Sequence, residues 1–129
     1  MDKMREPMEA EEQRALFEWA ALQAGKHPEL RFMYHVPNGG KRNAKEAALL
    51  KAEGVKSGVP DIVLPCACGG YHGLYIELKR KKSGKVSEDQ QRYLEFLNFA
   101  GYKAVVCRGW MQAKDEIMSY LKGEEQWVW

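Results

Sequence analysis

The sequence predicts an α/β fold in which a mixed β-sheet is flanked by helices. Three observations support this class: apolar residues at helical spacing near both ends, two short β-type segments joined by a glycine-rich turn, and a helix signal between the last two strands. The chain has 129 residues, of which 45% are hydrophobic and 29% charged, the balance of a globular domain. We therefore predict a single domain over residues 1–129, with its core at about 9–121.

Four segments carry helix signals. Ser87 is followed three residues later by Gln90, which is the pattern of a capping box, and Gly101 supplies a stop. Asn43 is a suitable N-cap for an alanine- and leucine-rich segment. The predicted helices cover residues 9–24, 43–54, 87–100 and 110–121.

Four further segments are predicted strands, at residues 31–36, 61–64, 73–79 and 102–107. The second and third of these are expected to form a hairpin. If Asp61 faces Glu77 across antiparallel strands, the turn is centred on Gly69, within a Gly-Gly pair that suits a turn. The resulting order is α-β-α-β-β-α-β-α.

This hairpin would bring three charged side chains together. Side chains alternate faces along a strand, so Glu77 and Lys79 share one face while Ile76 and Leu78 share the other. The predicted register adds Asp61 to the face of Glu77 and Lys79. Two carboxylates at close range repel unless a cation lies between them, and their hard oxygens suit Mg²⁺ or Mn²⁺. The lysine could orient or deprotonate a metal-associated water.

A simpler interpretation of the same spacing is structural. Glu77 and Lys79 would then be the solvated face of a strand, and Asp61 a turn residue after Pro60. The pattern D-X15-E-X-K is short and does not decide between the two interpretations on its own.

Several motifs around these residues add specificity. They are Pro37-Asn38-Gly39-Gly40-Lys41-Arg42, Gly54-Val55-Lys56-Ser57-Gly58-Val59-Pro60-Asp61, Gly73-Leu74-Tyr75-Ile76-Glu77-Leu78-Lys79, Ser87-Glu88-Asp89-Gln90 and Gly109-Trp110. Over about residues 9–121 the chain resembles the virus-type replication-repair nuclease (VRR-NUC) domain, within the PD-(D/E)XK nuclease superfamily. The resemblance implies a restriction-endonuclease-like fold.

The resemblance also implies roles for individual residues. Asp61, Glu77 and the backbone carbonyl of Leu78 would bind the divalent metal, Mg²⁺ or Mn²⁺, and Lys79 would assist the attacking water. Gln90, on the helix after the triad, would support the site.

A glutamate on the first helix has a supporting role in the family. Glu9 and Glu12 both precede Gln13 at plausible spacings, so both remain candidates at this point.

Members of the family cut DNA phosphodiester bonds, and stand-alone phage-type members resemble dimeric junction-resolving endonucleases. We therefore expect a metal-dependent DNA endonuclease that acts, as a homodimer, on branched DNA such as four-way (Holliday) junctions. Three alternatives remain: a flap or end-processing nuclease, a non-catalytic DNA-binding module, and a structural subunit of a phage or repair assembly.

The net charge alone does not indicate a polyanion partner, because 20 Lys and Arg and 18 Asp and Glu give a charge of only +2. The basic residues are clustered, however, and residues 79–85 read as a flexible basic loop suited to phosphate contacts. The predicted nucleic-acid-binding residues are Asn38, Lys41, Arg42, Lys56, Arg80, Lys81, Lys82 and Lys85.

Three cysteines and no secretory segment favour a reducing interior, so we expect a cytoplasmic protein of a bacterial or phage-infected cell. No apolar run approaches the ~18 residues that span a bilayer.

Cys66, Cys68 and His72 suggest zinc only weakly, because their spacing is wrong for a zinc knuckle. Trp127 and Trp129 are expected to pack on the body or across a dimer interface.

Overall fold

The computed structural model describes residues 5–37 and 43–123. Within these residues the fold is a four-stranded mixed sheet with helices on both faces, which confirms the predicted α/β class. The elements in chain order are α1 (Glu9–Gln23), a 3₁₀ helix (Pro28–Phe32), β1 (Tyr34–His35), α2 (Ala44–Ala52), β2 (Ile62–Leu64), β3 (Leu74–Lys79), α3 (Glu88–Phe99), β4 (Lys103–Arg108) and α4 (Trp110–Lys122).

The helix starts follow the predicted capping chemistry. Both halves of the capping box before α3 are present: the Gln90 N–H donates to Ser87 Oγ at 3.1 Å, and the Ser87 N–H donates to Gln90 Oε1 at 2.9 Å. The Asn43 side chain accepts from the Glu46 N–H at the start of α2. Local sequence therefore determines where these two helices begin.

The strand order is β1-β2-β3-β4, with antiparallel pairing of β1 with β2 and of β2 with β3. Ile62 pairs with Ile76, and this is the predicted hairpin register, because its continuation by one residue sets Asp61 opposite Glu77. β3 and β4 are parallel, and α3 provides the crossover between them that parallel strands require.

The two faces of the sheet contribute to different clusters. On one face Ile76 and Leu78 join a large apolar core that includes Leu16 of α1 and Ile117 of α4. On the other face a smaller cluster packs against α3, with Leu94, Leu97 and Ala104 at its centre. Glu77 and Lys79 belong to this second face by strand alternation, and the smaller cluster leaves room there for polar side chains.

The strand predicted at residues 31–36 was wrong over most of its length. Pro28–Phe32 forms a 3₁₀ helix, and β1 is only Tyr34–His35. Pro28 fixes the φ angle at the first helical position, and Leu30 is buried beneath the turn. A short apolar run does not distinguish these two conformations by its pattern alone.

Across residues 5–37 and 43–123, none of the helices combines the length and the apolar character needed to cross a membrane. Five residues to which the sequence analysis gave a role lie outside the described residues: Asn38, Lys41, Arg42, Trp127 and Trp129.

Candidate active site

Three charged side chains predicted to converge do lie together, where β2 begins and β3 ends. Asp61, Glu77 and Lys79 are only 7%, 1% and 8% exposed, which is unusual for charged residues. Asp61 Oδ2 accepts a hydrogen bond of 2.8 Å from the Leu78 N–H, and Lys79 Nζ lies 3.6 Å from Glu77 Oε2. Such burial excludes the interpretation of this face as solvated.

The structure also brings Gln90 to this cluster. Its Nε2 donates to Glu77 Oε2 at 3.1 Å, while its Oε1 accepts from the Ser87 N–H in the capping box. The side-chain amide is therefore held at both ends. Its orientation is fixed by the start of α3, and the donor that it presents to Glu77 is preorganised.

Burial and mutual repulsion control the charge of the two carboxyl groups. Burial, followed by the charge of Asp61, raises the pKa of Glu77 to about 8, although Lys79 opposes the shift. Burial also raises the pKa of Asp61, against the opposing hydrogen bond from Leu78. The two groups interact directly, so without a cation the pair retains a proton at neutral pH.

A divalent metal fits the oxygen atoms of this cluster. Glu77 Oε1 is buried and has no hydrogen-bond partner in the described part of the chain. The Leu78 N–H points to the β2 side, and the register sets Pro60, which has no N–H, opposite Leu78. The Leu78 carbonyl therefore receives no ladder hydrogen bond from that position. Two carboxylates and a carbonyl are the hard ligands that Mg²⁺ and Mn²⁺ prefer.

Protein side chains supply only part of such a coordination shell. The described ranges contain no group of three or more His, Cys, Asp or Glu side chains placed to hold a metal. This agrees with Mg²⁺-type sites, in which one or two carboxylates bind the ion and several waters remain.

The two glutamates of α1 occupy different places. The pKa of Glu9 is raised by burial and by the charge of Asp61, and is lowered by Lys79 and His35, so this residue lies near the cluster. Glu12 is 2% exposed, and its Oε1 accepts from the Trp110 N–H at the start of α4, 3.2 Å away. The structure thus brings Glu9 to the cluster and places Glu12 under the first turn of α4.

His35, at the end of β1, is a further neighbour of the site. Its Nδ1 lies 3.1 Å from the Asp61 carbonyl oxygen, and the Val36 N–H donates to the same oxygen at 2.7 Å. Because a carbonyl only accepts, Nδ1 carries the hydrogen. The signal that could have revealed this contact is the pairing of His35 with Ile62, next to Asp61, which required knowing that β1 joins β2.

Gly58 determines how closely the loop before Asp61 approaches α3. Its φ is +88°, and a Cβ atom there would lie 2.5–2.7 Å from backbone atoms of Asp89 and Gln90. Only glycine permits this approach. The contact fixes the loop that carries Asp61 against the helix that carries Gln90.

The basic loop after β3 is not the flexible segment that was predicted. The Glu6 carboxylate accepts from the backbone N–H groups of Lys82 and Ser83 and from the Ser83 hydroxyl, and these bonds lower the pKa of Glu6 to about 2. From the other side, the Arg108 guanidinium donates to the carbonyls of residues 80, 83 and 84. The loop is therefore held by hydrogen bonds at both edges.

Arg80, which was predicted to contact nucleic acid, also has contacts within the chain. Its guanidinium donates to the Pro7 and Glu6 carbonyl oxygens at 3.0 and 2.9 Å and pairs with the Glu6 carboxylate. These contacts hold the N-terminal segment against the loop. The other predicted contacts among the described residues are exposed: Lys56, Lys81, Lys82 and Lys85.

The weak zinc hypothesis finds no support in the described ranges. Cys66 Sγ and Cys68 Sγ lie 3.4 Å apart, while the His72 ring packs edge-on against Tyr102, with centroids 5.5 Å apart. The absence of any three-residue metal-ligand group within these residues applies here as well.

A mixed sheet with a buried Asp, Glu and Lys at adjoining strand ends agrees with a nuclease-type α/β domain, the class that the family match indicates. The family model of the VRR-NUC domain matches residues 7–111, most of the chain, and this chain belongs to the VRR-NUC family. A solved structure described as "VRR_NUC domain protein" is similar at a TM-score of 0.80 and 34% identity, with 91% of this chain and 90% of that chain covered. No curated protein matches the chain.

Proposed function

We propose that this VRR-NUC domain is a divalent-metal-dependent deoxyribonuclease that hydrolyses phosphodiester bonds in branched DNA. Mg²⁺ or Mn²⁺ is the proposed metal, and a four-way junction is the proposed substrate. The observation that carries the proposal is the buried pair Asp61 and Glu77, in which one Glu77 oxygen has no hydrogen-bond partner among residues 5–37 and 43–123. A fold rarely buries two facing carboxyl groups unless a cation compensates them.

The residues of the chain have distinct parts in the proposed reaction. The Leu78 N–H fixes Asp61, and Gln90 fixes Glu77, so both carboxylates are held in place before the metal binds. A bound Mg²⁺ or Mn²⁺ would supply the positive charge that offsets charge developing on the phosphate. Lys79 Nζ, 3.6 Å from Glu77 Oε2, would position the attacking water and accept or release its proton.

The surroundings of the cluster suit a DNA backbone. Lys81, Lys82 and Lys85 are exposed on the loop that follows Lys79, and phosphate contacts of this kind make binding sensitive to salt. Because Glu6 and Arg108 hold the loop, these lysines are presented from a fixed backbone.

Cleavage of a four-way junction at two symmetric positions needs two sites. We therefore propose a homodimer, whose two-fold axis would coincide with that of the junction. The mass in solution at micromolar concentration tests this point. A monomeric mass would contradict symmetric junction resolution without affecting the proposed chemistry.

The principal experiment compares a labelled four-way junction, a flap and a linear duplex, each with Mg²⁺ or Mn²⁺ and then with a chelator. We expect metal-dependent cleavage, with the junction cut fastest, and loss of cleavage in Asp61→Asn and Lys79→Ala. Lys122→Ala, at the exposed end of α4, is the matched control and should cut normally.

Each alternative has its own outcome in that experiment. Cleavage that survives chelation, or that persists in Asp61→Asn, would overturn the mechanism. A flap cut faster than the junction would favour an end-processing nuclease. Binding that weakens steeply with salt, without any cleavage, would identify a DNA-binding module.

Metal binding can be measured apart from cleavage. Mn²⁺ should raise the thermal unfolding temperature of the wild type, because a ligand that binds only the folded state stabilises it. The increase should disappear in Glu77→Gln and remain in Glu12→Gln. An equal increase in both variants would place the metal elsewhere.

A further inference from the structure

α2 is a helix without a buried residue. Its nine residues include Ala47, Leu49 and Leu50, yet none of them is packed in the core. Leu49 is 56% exposed, and a helix with so many apolar residues is normally buried on one face. Between α2 and the start of α3 lies an open cleft of about 570 Å³, which extends to Asp61 and Gln90.

We propose that this cleft binds one unpaired nucleotide of the DNA, next to the phosphate that is cut. The inference rests on the proposed function, which supplies DNA as the substrate. It adds which structural element of a branched substrate the domain recognises.

The lining of the cleft combines apolar surface with cationic and hydroxyl groups, and a nucleotide requires both. Ala47, Leu50, Val55 and Val59 provide apolar surface, which suits the face of a base. The cleft is also lined by cationic and hydroxyl-bearing residues, which suit a phosphate and a sugar: Lys51, Lys56, Ser57 and Ser87.

Stacking within a duplex excludes a paired base from the cleft, whose size suits a single small ligand. A volume of 570 Å³ falls within the range of roughly 300–1,000 Å³ that is typical of sites for single small ligands. A paired base is stacked and cannot enter such a site. An unpaired base can enter it at the free-energy cost of unstacking alone. The occupant is therefore a single nucleotide of one strand.

The position of the cleft connects it to the site of chemistry. Asp61 and Gln90 line the cleft and also belong to the carboxylate cluster. A nucleotide bound here would thus be contiguous with a phosphate at Asp61 and Glu77. Among branched DNA structures, those with an unpaired nucleotide at the branch point should bind best.

The test uses two four-way junctions in metal-free buffer, one fully paired and one with a single unpaired 2-aminopurine at the branch point. The fluorescence of 2-aminopurine rises when the base leaves the stack. We expect a saturable rise on addition of wild-type protein, and at least about fivefold tighter binding of the junction with the unpaired nucleotide.

α2 offers pairs of variants of the same residue type, one at a position that lines the cleft and one at a position that does not. Leu50 and Lys51 line it, whereas Leu49 and Lys45 do not. Leu50→Asn and Lys51→Ala should remove most of the preference for the unpaired nucleotide, while Leu49→Asn and Lys45→Ala should bind within about twofold of the wild type. Unfolding temperatures should stay close to that of the wild type, because none of the four residues is buried.

Equal affinity for the two junctions, or equal effects of the Leu49 and Leu50 variants, would overturn the proposal. A change of mass in solution on Leu50→Asn, with unchanged fluorescence, would also overturn it and show an interface between two copies. Because these measurements need no metal, they are independent of cleavage. A protein that binds as expected but never cuts would contradict the proposed function alone.

Discussion

Two glutamates of this domain are almost equally buried, and they differ in everything around them. Glu12 is 2% exposed and Glu77 is 1% exposed, and each has one side-chain oxygen without a hydrogen-bond partner among the described residues. Glu12 lies under the start of α4 and accepts from the Trp110 N–H. Glu77 lies at the end of β3 and faces Asp61. Burial alone therefore does not identify a functional carboxylate.

The electrostatic surroundings separate the two. The first turn of a helix carries partial positive charge and unsatisfied N–H groups, so α4 compensates the charge of Glu12. The neighbour of Glu77 is another carboxyl group, and Lys79 offsets it only partly. Glu77 therefore needs a proton or an added cation to remain buried, whereas Glu12 lies beside the N-terminus of α4. Four predictions test this contrast, from the largest expected effect to the smallest.

Removing the charge of Glu77 should abolish cleavage. Glu77→Gln is expected to lower the cleavage rate at least about a hundredfold, the size seen when a preorganised electrostatic group is lost. Its unfolding temperature in metal-free buffer should not fall, since the repulsion with Asp61 is removed. Glu12→Gln is the matched control. If Glu12→Gln lost as much activity per folded molecule, the contrast between the two residues would fail.

The stability of the metal-free protein should decrease as the pH rises from the ordinary pKa of Glu77 to its raised pKa in the folded protein. The pKa of Glu77 is raised from 4.5 to about 8, so between these values the folded protein holds a proton that the unfolded chain has released. Its stabilising contribution is full below pH 4.5 and is lost by about pH 8. We expect a decrease of roughly 2–4 kcal/mol relative to Glu77→Gln, measured by denaturant unfolding at each pH.

An excess of Mn²⁺ should reverse this trend, because metal binding favours the deprotonated carboxylates. A wild type that became more stable with rising pH in metal-free buffer, compared with Glu77→Gln, would show that the pair is already compensated by the protein.

Glu12 should matter for folding and little for chemistry. Glu12→Ala removes the acceptor of the Trp110 N–H and leaves a small cavity, so we expect a loss of about 1–3 kcal/mol of unfolding free energy. Glu18→Ala, on the exposed face of the same helix, should stay within about 0.5 kcal/mol of the wild type. Equal unfolding free energies for the two variants would refute a structural role for Glu12.

Glu9 should show the opposite behaviour to Glu12. Partial desolvation and the nearby charge of Asp61 raise the pKa of Glu9, so Glu9→Gln should lower cleavage about tenfold, as for residues that support metal ligands. The unfolding free energy should change little, because Glu9 is exposed. Comparison with Glu18→Gln separates the effect from a general change of charge on α1. Full activity of Glu9→Gln would remove Glu9 from the site.

The register of β2 and β3 and the start of α3 could both be predicted from the sequence. The register brings Asp61 to the face of Glu77. The turn itself pairs Cys68 with Tyr71, which is offset by one residue from the strand register, so the turn alone does not determine that register. The capping box places Gln90 on the first turn of α3, where its side chain reaches Glu77, whereas its role in the site was implied by the resemblance to the VRR-NUC family.

The parts that sequence reasoning missed depend on contacts between distant segments. Glu9 and Glu12 lie on one helix and can be distinguished only by knowing that the first turn of α4 lies next to Glu12. The predicted flexible loop is held by Glu6 and Arg108, which are far from it in the chain. The exposure of α2 has no counterpart in its sequence, which resembles that of a buried helix.

Gly58 keeps the Asp61 loop and α3 at a spacing that leaves no room for a side chain. The backbone of its loop touches the backbone of α3, and no side chain separates the segment that leads to Asp61 from the turn that presents Gln90. A methyl group there would act as a spacer and move a carboxylate and its amide neighbour apart, although neither residue itself had changed. The distance between these two groups therefore depends on the absence of a Cβ atom at Gly58.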